Sequence, residues 1–221
     1  MEQNKIVITD WGGVIENHSE EQYVFHHVLK RVIEQFSTQP IPANYQNLLK
    51  DALAEKGTEL ESIGKTKNIR PYLDRMFELF SIETSPSIYQ DFLDTYTQLT
   101  SDVPYDRELV RYLGSIKDRC KLGILSNLSV LDAGRQNRQL GWDKFDYKWL
   151  SYEMGCLKPD PRVYEIVEKD CGMKGKQILF IEDVEKNLHV PREQFGWCTF
   201  TASYNNTKST IDAIERFLKE S

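Results

Sequence analysis

The sequence predicts an α/β protein with a parallel β-sheet and a helical insertion after the first strand. Short apolar, β-branched runs bounded by polar residues occur far apart along the chain, and such runs are typical of buried parallel strands. Between them lie segments with apolar residues three and four positions apart, which is the periodicity of amphipathic helices. Several of these helical segments fall between the first two runs. We therefore place the insertion at residues 16–103 and the sheet domain at residues 1–15 and 104–221.

Four apolar runs predict the strands of the sheet. The runs are Lys5–Thr9, Leu122–Leu125, Ile178–Ile181 and Cys198–Ala202. The first ends at Asp10, the second at Ser126-Asn127 and the third at Glu182-Asp183. Ligands of open α/β sheets bind beyond the carboxyl ends of the strands, so these polar residues mark the predicted site.

The insertion contains four predicted amphipathic helices, at about residues 24–36, 48–53, 72–80 and 88–99. Gly57 is expected to end the second of them. Four such helices can enclose a hydrophobic core of their own, as a helical bundle does. A further helix, with Leu109, Val110, Leu113 and Ile116, is predicted to lead into the second strand. The insertion also carries Lys65, Lys67 and Arg70, which could contact a substrate but fit a solvated basic loop better.

Length and composition suit a globular protein with one domain and an insertion. The chain has 221 residues, 40% of them hydrophobic and 28% charged, and a net charge of -6 at pH 7. Its apolar runs are too short for a transmembrane helix, and the segment MEQNKIVITD lacks the apolar stretch of a signal peptide. We therefore expect a cytoplasmic protein without a membrane partner.

No basic run indicates a nucleic-acid partner, and the widely spaced cysteines are expected to be free thiols.

Asp10 is the first candidate for chemistry. It follows the first strand directly and precedes Gly12 and Gly13, whose missing side chains allow a close approach of the backbone to a ligand. A carboxylate in this position suits a nucleophile that faces a phosphate. The same pattern also fits an aspartate that only forms a turn.

Two later segments could bind an anion. Ser126 and Asn127 offer a hydroxyl group and backbone N–H groups to an anion oxygen, although this pair is also common in turns. Lys158 begins a Lys-Pro-Asp-Pro segment, in which Asp160 is expected to cap a helix that starts at Pro161. Such a rigid loop would present Lys158 to a phosphate and to a nearby carboxylate, although a solvated lysine is the simpler reading of this segment alone.

Glu182 and Asp183 place two acids at the end of an apolar strand. Carboxylate oxygens are the ligands that Mg²⁺ prefers, although an acidic helix cap would have the same sequence. The four signals follow one another at successive strand ends and their loops, in the order aspartate, serine, lysine and acidic pair. Together they favour a single site over four unrelated features.

At these residues the sequence resembles the haloacid dehalogenase (HAD) superfamily of aspartate-nucleophile hydrolases. The similar segments, in the order of the family's motifs, are VITDWGGVI, ILSN, SYEMGCLKPDPRVYE and ILFIEDVEKN. The resemblance implies a Rossmann-like, three-layer core with a helical-bundle cap between the first two motifs. It also implies Mg²⁺-dependent hydrolysis of a small phosphorylated metabolite, with sugar phosphates as one substrate class.

The resemblance also implies roles for individual residues. Asp10 would be the nucleophile and would form an aspartyl-phosphate. Ser126, helped by the backbone of Asn127, would bind a phosphoryl oxygen, and Lys158 would stabilise the charge around the phosphoryl group.

The implied Mg²⁺ ligands are Asp10, the backbone carbonyl of Gly12, Glu182 and Asp183. The usual phosphatase of this family has a second aspartate two residues after the nucleophile, which serves as general acid and base. Here that position is Gly12, and general acid–base help is worth about 10²–10⁴ in rate. Glu16 or His18 could supply the proton through water.

Two alternatives stay open. A catalytically silent HAD-like binding or regulatory protein would explain Gly12, although it would not need Asp10, Lys158 and the acidic pair. A 2-haloacid dehalogenase also lacks the second aspartate, but its chemistry needs no metal, so the pair Glu182-Asp183 argues against it. The sequence gives neither the substrate nor the oligomeric state.

Overall fold

Five parallel strands form one sheet in the computed structural model of the chain. The structure describes residues 4–17, 25–48, 63–133, 142–204 and 206–220. Each of the four predicted runs forms a strand. The strands are β1 (Ile6–Thr9), β2 (Lys121–Ser126), β3 (Tyr147–Leu150), β4 (Ile178–Glu182) and β5 (Cys198–Thr201). They lie side by side in the order β3-β2-β1-β4-β5.

The central position of β1 places the ends of three strands side by side. Thr9 pairs with Ile124 of β2 on one side and with Ile181 of β4 on the other. The backbone N–H of Asp10 then donates to the carbonyl of Ile181 over 2.8 Å. The residues that follow β1, β2 and β4 therefore meet at the same edge of the sheet.

Helices cover both faces of the sheet and confirm the three-layer α/β architecture. Alternate residues of β1 point to opposite faces, because side chains alternate along a strand: Val7 belongs to one buried cluster, and Ile6 and Ile8 to the other. The helices of the sheet domain are α4 (Arg107–Ser115), α5 (Ser151–Met154), α6 (Pro161–Cys171), α7 (Lys186–Phe195) and α8 (Thr207–Lys219). Helices α4 and α8 pack on the Val7 face, and α6 and α7 on the other.

The insertion has a hydrophobic cluster of its own. Its described helices are α1 (Phe25–Phe36), α2 (Arg70–Leu79) and α3 (Ile88–Leu99), which confirms the first, third and fourth predicted helices. Their apolar faces pack together, and Leu131 of the segment after β2 joins them. The second predicted helix lies mostly outside the described residues, as does Gly57. The assignment of residues 16–103 to a separate cap domain stays a prediction.

Both ends of the insertion lie next to each other on the sheet domain. The N–H of Asn17 donates to the carbonyl of Pro104 over 2.9 Å, and the N–H of Asp106 donates to the carbonyl of Ile15 over 2.8 Å. Asp106 also caps α4, because its side chain accepts from the N–H of Leu109. The chain thus leaves and re-enters the sheet domain at one place, close to the predicted boundaries.

Strand β3 was not predicted from the sequence. It lies at the edge of the sheet, and Lys148 is exposed whereas Trp149 and Leu150 are buried. Tyr147 and Trp149 stack on one face with ring centroids 5.2 Å apart.

Among the described residues, no helix has the length and apolar character needed to span a bilayer. The four cysteines are free thiols, as expected.

Candidate active site

The structure brings the predicted site residues together at the carboxyl edge of the sheet. Asp10, Glu182 and Asp183 each have a carboxylate oxygen within 4.8 Å of the other two. Lys158 reaches the same place from the loop before α6, which begins at Pro161 as expected because the Asp160 side chain accepts from the N–H of Arg162. Asp10, Lys158 and Glu182 are all buried.

All three N–H donors of the Lys158 ammonium group have acceptors within the protein. Its Nζ lies 3.0 Å from Asp10 Oδ2 and 2.5 Å from Glu182 Oε2, and it donates to the carbonyl of Leu125 over 3.0 Å. Burial by itself lowers the pKa of Lys158, but Asp10 and Glu182 raise it above its ordinary value. Lys158 is therefore a charged group shared by two buried carboxylates, and it compensates only one of their two negative charges. The expected contact between Lys158 and a phosphoryl oxygen stays a prediction. To make it, the ammonium group would have to give up one of its three contacts within the protein.

The Asp10 carboxylate is held between groups that act on its pKa in opposite directions. Burial raises this pKa to about 6, and Glu182 also raises it, whereas Lys158 and a hydrogen bond from the Ser126 side chain lower it. The backbone N–H of Trp11 donates to Asp10 Oδ1 over 2.7 Å. A pKa of about 6 leaves Asp10 ionised at pH 7, and Ser126 lies beside it. The roles of Asp10 as nucleophile and of Ser126 in phosphate binding stay predictions.

The two acids at the end of β4 differ in their surroundings. Glu182 is fully buried, with Oε2 near Lys158 and Oε1 accepting from the N–H of Val184 over 3.1 Å. Asp183 is the most exposed of the three clustered acids. Three carboxylates facing one ammonium leave two negative charges, which a divalent cation would balance. The residues therefore fit Mg²⁺, with Asp183 the acid most available to it.

The turn after β1 folds back on itself beside these acids. The N–H of Gly13 donates to the carbonyl of Glu16 over 2.8 Å, and the N–H of Glu16 donates to the carbonyl of Trp11 over 2.9 Å. Gly13 has a φ of 75°, in the left-handed region, and Gly12 is not among the positive-φ residues of the described chain. Glu16 is fully buried, and His18 lies outside the described residues. Neither is shown to replace the missing carboxylate.

The side chain of Asn127 has a contact that sequence reasoning missed. Its Oδ1 accepts from the backbone N–H of Lys158 over 2.7 Å, and its Nδ2 donates to the carbonyl of Lys158 over 3.0 Å. The sequence indicated a role only for its backbone. Because 31 residues separate the two positions, no local pattern in the sequence signals this contact.

Lys67 and Arg70, two of the three basic residues singled out in the insertion, have contacts of their own. Lys67 Nζ lies 4.0 Å from a carboxylate oxygen of Glu153, and the guanidinium of Arg70 lies 4.3 Å from the ring centre of Tyr89. Lys65 is exposed. A role of these side chains in substrate binding stays a prediction.

The comparisons with known proteins agree with this architecture. No family model matches the chain. A curated protein, D-ribitol-5-phosphate phosphatase from Bacteroides thetaiotaomicron, is 34% identical over 58 residues, which are 26% of this chain and 28% of that protein. The match therefore spans little more than a quarter of that relative.

Solved structures resemble the chain over nearly its whole length. A HAD family enzyme from B. thetaiotaomicron, BT-2542, in complex with magnesium and inorganic phosphate, gives a TM-score of 0.69 at 20% identity over 90% of this chain and 94% of that one. A HAD-like hydrolase from Porphyromonas gingivalis gives 0.70 at 22% identity, with 98% of each chain covered. A 2-haloacid dehalogenase from Pseudomonas syringae gives 0.68 at 13% identity over 96% and 99%.

These likenesses define the class of the fold. The chain has the Rossmann-like α/β fold of HAD family enzymes, with an acidic cluster and a buried lysine where parallel α/β sheets bind their ligands. The resemblance of the sequence motifs to the HAD superfamily is thereby confirmed at the level of the fold.

Proposed function

We propose that this protein is a Mg²⁺-dependent phosphomonoester hydrolase that acts on a small phosphorylated metabolite. The observation that carries the proposal is the cluster of Asp10, Glu182 and Asp183, whose carboxylate oxygens lie within 4.8 Å of one another. Lys158 compensates only part of this charge. Such a cluster at the end of a strand suits a divalent cation and a phosphate together.

Asp10 is the proposed nucleophile. One of its carboxylate oxygens attacks phosphorus, so that a bond forms between Asp10 and the phosphoryl group as the bond to the alcohol oxygen breaks. The departing alkoxide takes up a proton from solvent water and leaves as the alcohol. Water then attacks phosphorus, releases inorganic phosphate and restores the Asp10 carboxylate.

The surrounding residues hold the charges of this reaction in place. Ser126 lies beside Asp10 and donates to a phosphoryl oxygen in the proposed complex. Lys158 keeps the buried Asp10 ionised and limits its repulsion from Glu182. Preorganised groups of this kind account for much of the acceleration of phosphoryl transfer.

Asp10, the carbonyl of Gly12 and Asp183 are the proposed Mg²⁺ ligands. Glu182, whose oxygens are engaged by Lys158 and by the N–H of Val184, contributes directly or through water. When bound, Mg²⁺ neutralises the charge that repels an incoming phosphate.

Sugar and polyol phosphates are the proposed substrate class. The curated relative is a phosphatase of D-ribitol 5-phosphate, and BT-2542 was crystallised with magnesium and inorganic phosphate. The helical insertion, residues 16–103, is the proposed cap that selects among such substrates. A silent binding protein is the second candidate, because Gly12 supplies no acid–base side chain.

A phosphatase screen tests the proposal. Purified protein is incubated with D-ribitol 5-phosphate, several sugar phosphates, a nucleotide and an aryl phosphate, with Mg²⁺ or with EDTA. We expect phosphate release that depends on Mg²⁺. Release of halide from a 2-haloacid would favour the dehalogenase, and binding of phosphate esters without turnover would favour the silent protein.

A further inference from the structure

Two loops lie next to each other at the carboxyl edge of the sheet. One follows β2 and contains Asn127 and Leu128. The other runs from Ser151 in α5 to Lys158. Side chains of these loops bond to backbone groups of the opposite loop, and each such side chain serves both polar groups of one residue.

Asn127 makes the first of these double contacts, to the backbone of Lys158 over 2.7 Å and 3.0 Å. Within the described residues, no other hydrogen bond reaches the backbone N–H or carbonyl of Lys158. Unpaired backbone groups are costly to bury, and the carboxamide of asparagine offers a donor and an acceptor side by side. The backbone of Lys158 is therefore fixed by one side chain.

Ser151 makes the second double contact, to the backbone of Leu128. Its hydroxyl oxygen accepts from the N–H of Leu128 over 2.9 Å, and the hydroxyl donates to the Leu128 carbonyl over 3.1 Å. Ser151 is fully buried. This contact joins the same two loops but does not touch Lys158.

We infer that Asn127 is a positioning residue that sets where the Lys158 ammonium lies between Asp10 and Glu182. A lysine side chain is long and flexible, so its head group can hold three fixed acceptors only if its backbone is also fixed. The inference rests on the proposed function, because it assigns Asn127 a part in the same reaction. Its side chain acts through Lys158 and needs no contact with the substrate.

Three variants separate positioning from general support of the loops. Asn127→Ala removes both hydrogen bonds. Asn127→Asp keeps the size of the side chain and the acceptor toward the Lys158 N–H, but it loses the donor to the carbonyl, so a loss in this variant cannot come from a cavity. Ser151→Ala removes two hydrogen bonds between the same loops and serves as the matched control.

The first readout does not depend on activity. Native protein is treated with an amine-reactive acylating reagent, and labelling of Lys158 is followed by mass spectrometry. The Lys158 side chain is only 1% exposed, so we expect slow labelling in the unmodified protein and in Ser151→Ala, and faster labelling in both Asn127 variants. Equal labelling in all four proteins, or equally fast labelling in Ser151→Ala, would overturn the inference.

The second readout is steady-state hydrolysis of an aryl phosphate at fixed Mg²⁺. A misplaced catalytic group can cost about 100-fold in rate, so we expect kcat to fall by about that factor in both Asn127 variants, with KM little changed. Ser151→Ala should melt at a lower temperature but keep most of its kcat. If kcat is unchanged in the Asn127 variants, the inference is wrong. If the unmodified protein has no phosphatase activity, the proposed function is wrong, and the labelling still decides whether Asn127 positions Lys158.

Discussion

The carboxylate of Asp183 occupies the space that a side chain at position 13 would need. A Cβ atom built on Gly13 would lie 2.0 Å from Asp183 Oδ2 and 2.4 Å from its carboxyl carbon. Gly13 also has a φ of 75°, which a residue with a side chain adopts only with strain. The glycine after Gly12 thus lets the most exposed acid of the cluster lie against the turn that carries Asp10.

Gly13→Ala should therefore displace Asp183 and weaken Mg²⁺ binding. Gly172→Ala is the matched control, because Gly172 has a φ of 70° and a Cβ there would meet no atom within 4 Å. Left-handed backbone costs a residue with a side chain about 1–2 kcal/mol, so both variants should lose stability. Titration calorimetry should show weaker Mg²⁺ binding only for Gly13→Ala. Equal affinities in the two variants would show that Asp183 is not a ligand.

Asp10→Asn should abolish turnover while the fold is kept. The amide has nearly the same shape, but it cannot form the bond to phosphorus. Release of phosphate from an aryl phosphate measures turnover, and circular dichroism checks the fold. A variant that keeps most of the activity would show that Asp10 is not the nucleophile.

Mg²⁺ binding should weaken as the pH falls below 6. In the metal-free protein, burial raises the pKa of Asp10 to about 6, and a protonated carboxyl must lose its proton to bind a cation. The apparent affinity should then fall about tenfold for each pH unit below 6. Calorimetry at pH 7.5, 6.0 and 5.0 measures this, with Asp10→Asn as a weak-binding control. The same affinity at pH 5.0 and pH 7.5 would contradict the ligand role of Asp10.

Gly12 should make the rate depend steeply on the leaving group. No carboxylate at position 12 can protonate the departing alcohol, so aryl phosphates with acidic phenols should be hydrolysed far faster than alkyl phosphates of similar size. Because the positive φ lies at Gly13 and not at Gly12, Gly12→Asp meets no left-handed backbone and should flatten this dependence. A flat dependence in the unmodified protein would show that another group supplies the proton, and Glu16→Gln and His18→Ala would then be the next variants.

Glu215 should stabilise the fold in a pH-dependent way. Its carboxylate accepts two hydrogen bonds from the guanidinium of Arg119, over 2.6 Å and 3.0 Å, and one from the hydroxyl of Tyr112 over 2.7 Å. These contacts lower the pKa of Glu215 to about 2, Arg119 having the larger effect. Since the folded pKa lies below the ordinary value of 4.5, the stabilisation is complete above pH 4.5 and is lost as the pH falls toward 2.

Glu215→Gln should accordingly lower the free energy of unfolding by about 1 kcal/mol at pH 7, the upper end for a partly exposed pair. The difference from the unmodified protein should shrink at pH 3. Urea unfolding at both pH values measures it, with the exposed Glu193→Gln as a control. A difference of the same size at both pH values would mean that the charge of Glu215 contributes nothing.

The sequence by itself determined four of the five strands and the identity of the candidate site residues. Buried central strands need continuous apolar runs, so the first three runs predicted β1, β2 and β4, and the run Cys198–Ala202 predicted the edge strand β5. Each end of these four strands lies within one residue of its prediction. Polar residues at the ends of such strands are visible without a structure. Strand β3 was not predicted, because the sequence Tyr147–Leu150 mixes aromatic residues with an exposed lysine and is not a continuous apolar run.

Only the tertiary structure decided how these residues act on one another. The order of the strands places β1 between β2 and β4, and this brings Asp10 within 3.0 Å of Lys158 although 148 positions separate them along the chain. The contact between Asn127 and the backbone of Lys158 and the fit of Asp183 against Gly13 have the same origin. Each depends on distances between segments that are remote in sequence. Such distances are set by the packing of the whole sheet, and no local pattern of residues encodes them.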